Sequence, residues 1–167
     1  MPAELNIPTR LETPKGLRIH IGLFGRRNAG KSSLINALTN QQIAIVSDVP
    51  GTTTDPVEKA CELAPVGPVV FIDTAGIDDV GKLGHLRTDR TMSVLGWMDL
   101  ALIVCDAAGI TDYEKELFRI VTANKMPAIV VLNKTDLHAP EAPVISTIKS
   151  FNLPFVSVSA SEHIGID

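Results

Sequence analysis

The residues best suited to chemistry in this chain are Gly25-Arg26-Arg27-Asn28-Ala29-Gly30-Lys31-Ser32, which fit the spacing G-x-x-x-x-G-K-[ST]. Glycines at both ends of such a loop let the backbone curl until successive N–H groups point at one anion. A helix opening behind the loop adds roughly half a positive charge at its N-terminus. The chain supplies that setting, because an apolar, strand-like run (Ile19 to Phe24) precedes the loop and a helix-like run (Ser32 to Leu38) follows it. Strand, loop and helix together read as a nucleotide-phosphate site. Asn28, Ala29, Gly30, Lys31, Ser32 and Ser33 surround the phosphates, Lys31 reaches the β- and γ-phosphates, and the Ser32 hydroxyl ligates Mg²⁺. Without those flanking elements the same residues would be only a glycine-rich turn.

The second group with chemistry is Asn133-Lys134-Thr135-Asp136, at the end of a later apolar run. A carboxylate accepts hydrogen bonds and donates none, so Asp136 suits the N1–H and exocyclic amine of guanine. Adenine, with an unprotonated N1, would be repelled. Hydrogen bonds to a charged group are worth about 1.5–3 kcal/mol each, enough to set base preference. Asn133 can bridge loops and meet the base edge, and the Lys134 stem can cover a face of the ring. Alone, four polar residues after a strand often make only a turn. About a hundred residues downstream of a phosphate loop they select a nucleotide. Ser159-Ala160, after the last strand-like run, supplies a backbone contact to the guanine oxygen.

Asp73-Thr74-Ala75-Gly76 completes the phosphate side. Asp73 is expected to hold Mg²⁺ through water. The Gly76 N–H is expected to sense the γ-phosphate, which makes Ile77 to Gly84 a switch. Thr53 is the expected second hydroxyl on Mg²⁺, with Thr52 the alternative because three threonines in a row leave the register open. Lys31, Thr53 and Gly76 carry the catalytic roles in this reading.

These groups need a scaffold that brings strand ends together. Expected strands are Leu17–Phe24, Val57–Leu63, Val69–Asp73, Leu100–Cys105, Ala128–Leu132 and Phe155–Val158, and expected helices cover about 32–39, 86–95, 112–123 and 144–151. Pro65-Val66-Gly67-Pro68 reads as a hairpin, making its two strands antiparallel neighbours in an otherwise parallel sheet. Strands alternating with helices give an open, doubly wound, mostly parallel six-stranded α/β sheet with one antiparallel edge strand and helices on both faces. Ligands of such sheets bind at the C-terminal ends of the strands. Residues 1–16, with Pro2, Pro8 and Pro14, read as a mobile N-terminal arm, and 17–167 as the nucleotide-binding domain. Only seven residues follow Ala160, too few for a helix to close the second face, so the domain is expected to be cut from a longer chain.

Composition excludes other classes. The chain has 167 residues, 45% of them apolar, which suits one packed domain rather than general disorder. Its net charge of −4 disfavours the broad basic surface of a nonspecific nucleic-acid binder. Cys61 and Cys105 lie in strand-like runs and read as buried thiols, not a disulfide or metal site. His20, His85, His138 and His163 share no ligand spacing. No stretch reaches the ~20 apolar residues of a membrane helix, and no signal peptide is evident, so a cytoplasmic protein without membrane contact is expected.

The chain resembles the translation-factor-like GTPases, P-loop proteins whose Era and TrmE group shares these motifs. Thr13-Pro14-Lys15-Gly16, the loop 25–33, the block 45–57, Asp73 to Asp79 and Leu83 to Arg87 resemble in particular the HydF family, GTPase maturation factors of FeFe-hydrogenase. That resemblance runs from about Thr13 to Asp167 and implies an N-terminal GTP-binding domain binding GTP or GDP with Mg²⁺. It implies as partners other hydrogenase maturation factors and the hydrogenase apoprotein, and a homodimer through switch regions or further domains. It implies no iron–sulfur cluster within these residues, since two isolated strand cysteines cannot ligate one.

Departures from better-known relatives shape the expected mechanism. Ile77 stands where Ras-like proteins keep a glutamine that orients the attacking water, so turnover is expected to be slow. Asn28 corresponds to a residue that binds K⁺ beside the phosphates in TrmE-like relatives, where the cation takes the part of an arginine finger. The other reading of Asn28 is a residue that tolerates a left-handed turn. Thr54 replaces an arginine common in those relatives. Arg26 and Arg27 read either as residues acting across a dimer or as solvated charges, Asp78, Asp79 and Lys82 as a partner-reading or merely soluble surface, and Trp97 as packing. The alternatives to hydrogenase maturation are a GTP/GDP-binding regulatory module with incidental hydrolysis, and a TrmE- or Era-like domain for tRNA modification or ribosome assembly.

Overall fold

Among the described residues, six strands form one sheet in the order β2-β3-β1-β4-β5-β6. The computed structural model describes residues 15–39, 57–74 and 84–166. In chain order these are a 3₁₀ turn (Lys15–Leu17), β1 (Ile19–Phe24), α1 (Lys31–Thr39), β2 (Val57–Leu63), β3 (Gly67–Asp73), α2 (Gly84–Leu95), β4 (Leu100–Asp106), α3 (Asp112–Ala123), β5 (Ala128–Asn133), α4 (Ala142–Ser150) and β6 (Phe155–Ser157). The loop expected over Asn40–Pro56, the residues Thr52, Thr53, Gly76 and Ile77, and nearly all of the N-terminal arm lie outside the described residues.

β1 pairs in parallel with both β3 and β4, β4 with β5, and β5 with β6. β2 is the antiparallel edge, running Val57↔Asp73 to Leu63↔Gly67 against β3, as the hairpin reading predicts. The turn is tighter than expected, because Gly67 and Pro68 already belong to β3. Pro68 has no N–H to give a ladder, a loss best tolerated near the start of a strand.

Inner parallel strands are covered on both faces, so they are apolar at nearly every position. β4, Leu-Ala-Leu-Ile-Val-Cys-Asp, shows it, with Ala101 through Cys105 all buried. Alternate residues then serve two cores. One gathers Ile21, Leu23, Leu102 and Val104 under Leu34 and Ile35 of α1. The other gathers Phe24, Ile103, Val130 and Leu132 under α2, α3 and α4. In α3, Leu117, Phe118, Ile120 and Val121 fall on one side of the helix, and Phe118 meets Phe151 edge-on at 5.4 Å. Trp97 departs from the packing role expected of it. It is 43% exposed just beyond α2 and touches the His20 ring edge-on.

Candidate nucleotide-binding site

The C-terminal ends of β1, β3, β4 and β5 deliver Phe24, Asp73, Asp106 and Asn133 to one edge of the sheet. The phosphate loop leaves β1 there and enters α1. Gly30 has φ +93°, a conformation few side chains accept, and a Cβ on it would strike the Asn133 amide. The first i→i−4 bond of α1 runs from the Leu34 N–H to Gly30 O (2.9 Å). First-turn amides of a helix lack intrahelical partners and point back along its axis, so those of Lys31, Ser32 and Ser33 are directed at the loop.

Lys31 is buried, and its ammonium donates to the carbonyl oxygens of Gly25 and, at 3.1 Å, Arg26. The loop thus wraps its own cation, leaving positive charge at the centre of the curl. Ser32 Oγ lies 3.4 Å from Asp73 Oδ2 and donates to it. Thr74 fixes that aspartate: its hydroxyl and its N–H both donate to Leu23 O, at 2.5 and 3.3 Å. A hydroxyl beside a carboxylate is the hard-oxygen donor set that Mg²⁺ prefers, so Ser32 and Asp73 fit that ion. When bound, Mg²⁺ would neutralise phosphate charge. The chain's own part is to aim Lys31 and the helix amides at the loop and to set these two oxygens beside them, where they would hold the cation.

Asn133 joins the phosphate side to the base side. It is 2% exposed; its Nδ2 donates to Ala29 O at 3.0 Å, and its Oδ1 accepts from the Ala160 N–H at 3.0 Å. One amide therefore locks the loop after β6 onto the phosphate loop. Asp136 is presented nearby, its Oδ1 accepting from the Ser159 hydroxyl at 2.6 Å. That bond orients the carboxylate and leaves its second oxygen for a donor pair. The loop after β6 is itself closed by paired bonds between Ser159 and Ile164 (2.9 and 3.0 Å).

Lys134, in a left-handed conformation at φ +63°, sends its ammonium to Asn28 O (2.5 Å) and Asp106 Oδ2 (3.0 Å). Burial alone would raise the Asp106 carboxyl, but the Ala108 N–H (2.9 Å) and the Lys134 ammonium outweigh it and hold the carboxyl below its ordinary range. A half-open cavity of about 200 Å³, lined by Arg26, Arg27, Asn28, Ala29 and Asp106, adjoins this bridge. Asn28 is exposed at its rim.

The structure joins Ala29 and Ala160 through Asn133, Asn28 to Lys134, Ser32 to Asp73 and Asp136 to Ser159, while Gly30 lies in the loop between and Lys31 and Ser33 in the first turn of α1. Asp106 and Glu114 escaped the sequence reading. A signal for Glu114 existed in Thr111-Asp112-Tyr113-Glu114, the S/T-x-x-E pattern of a helix start. Cys61 and Cys105 are buried free thiols, and burial pushes the Cys61 thiol up to about 11. Among the described residues no group of three His, Cys, Asp or Glu could hold a metal, and no helix is long and apolar enough to cross a membrane.

This chain is similar to known proteins. Residues 20–134 match the model of a family described as 50S ribosome-binding GTPase. GTPase Der of Wolinella succinogenes is 40% identical over 134 residues, 78% of this chain and 28% of Der. The tRNA modification GTPase MnmE of Picosynechococcus is 38% identical over 160 residues, 89% of this chain and 32% of MnmE. This chain therefore spans about a third of the length of these relatives. Among solved structures, an Era variant of Aquifex aeolicus bound to GDP·AlF4⁻ superposes with TM-score 0.65 at 28% identity, covering 89% of this chain and 53% of that one. The elongation factor SelB of Methanococcus maripaludis with a GTP analogue gives TM-score 0.66 at 25% identity, covering 90% of this chain and 31% of that one.

Proposed function

This chain belongs to the 50S ribosome-binding GTPase family, and from that premise we propose that it is the Mg²⁺-dependent guanine-nucleotide switch of a larger assembly or modification factor. The observation that carries the base and phosphate assignment is Asn133. It ties the loop that grips phosphates to the loop that presents Asp136, so base recognition and phosphate binding share one rigid unit. Hydrolysis is slow in this reading, because Ile77 offers no side chain to orient water. Asn28, at the rim of the loop, is the proposed K⁺ ligand, the cation supplying the charge that an arginine finger would otherwise bring. Turnover in KCl against NaCl, with Asn28→Ala alongside, tests it. Stimulation by K⁺ that the variant loses supports the cation role, and equal rates in both salts remove it.

The family's description as ribosome-binding and the tRNA modification GTPase MnmE as a relative favour service at the ribosome or in tRNA modification. A second reading, hydrogenase maturation, is favoured by the blocks 13–16 and 45–57, which resemble the HydF family. In it the cytoplasmic domain gates a metallocluster scaffold, with maturation factors, the apoprotein or a second copy as partners. Cells carrying Lys31→Ala in the full-length protein separate the two. Loss of hydrogenase activity with normal ribosome and tRNA-modification profiles supports maturation, and the reverse supports the assembly reading. If nucleotide-dependent partner release persists with a non-hydrolysable analogue, the domain is a binding module whose hydrolysis is incidental.

A further inference from the structure

We propose that Arg26 is a positioning residue for the phosphate loop, clamped by a buried carboxylate, Glu114, that reaches it from the first turn of α3. The inference rests on the guanine-nucleotide reading above. Glu114 is 0% exposed although it sits in the first turn of a helix, where glutamates ordinarily project into water. Its Oε2 accepts from the Thr111 N–H (2.7 Å) and the Thr111 hydroxyl (2.5 Å), which caps α3. Its Oε1 accepts from Arg26 Nε at 2.5 Å, a contact the cap does not need. Arg26 Nη2 adds a bond to Gly109 O at 3.4 Å, so the guanidinium is held from two points between β4 and α3.

The main chain of the same arginine serves the site. Arg26 O accepts from Lys31 Nζ (3.1 Å) and from the Ala29 N–H (3.0 Å). A carbonyl that holds the phosphate-binding lysine must keep its peptide plane fixed, and the side-chain clamp, 88 residues away in sequence, fixes it. Exposed ion pairs contribute little. This one has a wholly buried partner, so opening it strands a charge in the core. Nε and Nη2 are both engaged inside the chain, so the guanidinium is tied down although the Arg26 side chain is 42% exposed. If the clamp were absent, the loop would have to be ordered when nucleotide binds. Ordering even one residue is equivalent to roughly tenfold in affinity.

The test is release of fluorescently labelled GDP from the full chain in Mg²⁺, with melting measured separately without nucleotide. Arg26→Met combined with Glu114→Met removes both charges and keeps two long side chains, so nothing charged is stranded. The double variant also gives up the Thr111 cap, so it is expected to melt below wild type by what a lost helix cap costs, yet release GDP about tenfold faster. Arg26→Lys, which keeps the charge without the Nε and Nη2 geometry, is expected to fall between them. Glu114→Gln sets an amide donor against Arg26 or Thr111 while preserving volume, and is expected to speed release even if the double variant does not fold. Wild-type release from a folded double variant, or from Glu114→Gln, overturns the clamp alone. A wild type that retains no GDP overturns the nucleotide reading and the clamp with it.

Discussion

Replacing Asn133 with alanine should damage the site more than any surface change of equal size. The side chain is buried and holds a donor and an acceptor contact, to Ala29 O and from the Ala160 N–H, each at 3.0 Å. Alanine orphans both backbone groups on residues that are themselves buried. A buried polar group left without a partner costs about 1–3 kcal/mol, so the pair costs about 2–6 kcal/mol. Taking ~3 kcal/mol, and ~2–4 °C per kcal/mol for a domain of this size, the melting temperature should fall by about 6–12 °C. GDP affinity should fall as well, because the phosphate loop and the guanine loop are no longer fastened together. Asn133→Asp should be at least as harmful: it keeps an acceptor for Ala160 but turns a negative oxygen toward Ala29 O. Thermal melting with and without GDP reads both effects. A melting temperature for Asn133→Ala within a degree of wild type would refute the claim that this amide is the fastening.

Asp136→Ala should lose at least about a hundredfold in GDP affinity, since two hydrogen bonds to a charged acceptor are worth about 3 kcal/mol or more together, and preference over inosine nucleotides should vanish; competition binding measures it. Ser32→Ala should make nucleotide binding insensitive to Mg²⁺, so that calorimetry in Mg²⁺ and in EDTA gives one affinity, whereas wild type binds more tightly in Mg²⁺. The Asp106 carboxyl is held below its ordinary value of 3.8. A depressed folded-state pKa contributes stability that is complete above the unfolded value and lost as pH falls through the folded one. Denaturant titrations below about pH 4 should therefore show wild type losing more stability than Asp106→Asn.

Much of this was legible in the sequence because local signals and tertiary demands agree. Isoleucine, leucine and phenylalanine in β1, a glycine pair, then Lys31-Ser32 leave one consistent reading, and α3 and β2 fall where their periodicity puts them. Boundaries drifted where the signal was one residue deep. Asn133 and Asp106, polar ends to apolar runs, continue their strands because the ladder between β4 and β5 pairs them with each other. What stayed illegible depends on distance in sequence. Nothing in Arg26-Arg27 says that one guanidinium turns to a glutamate in another helix, because that pairing exists only once β1 and β4 lie side by side. Trp97 likewise reads as core by type, yet the chain has already left α2 when it reaches that residue.

The measurement closest to the central claim is phosphate release from GTP and from ATP, followed in parallel with the purified chain in Mg²⁺. If Asp136, Asn133 and Lys31 act as one unit, GTP is hydrolysed and ATP is not, and Lys31→Ala abolishes the GTP signal. Equal hydrolysis of both nucleotides, or a GTP rate untouched by Lys31→Ala, would contradict the assignment of this sheet edge as a guanine-specific hydrolytic site.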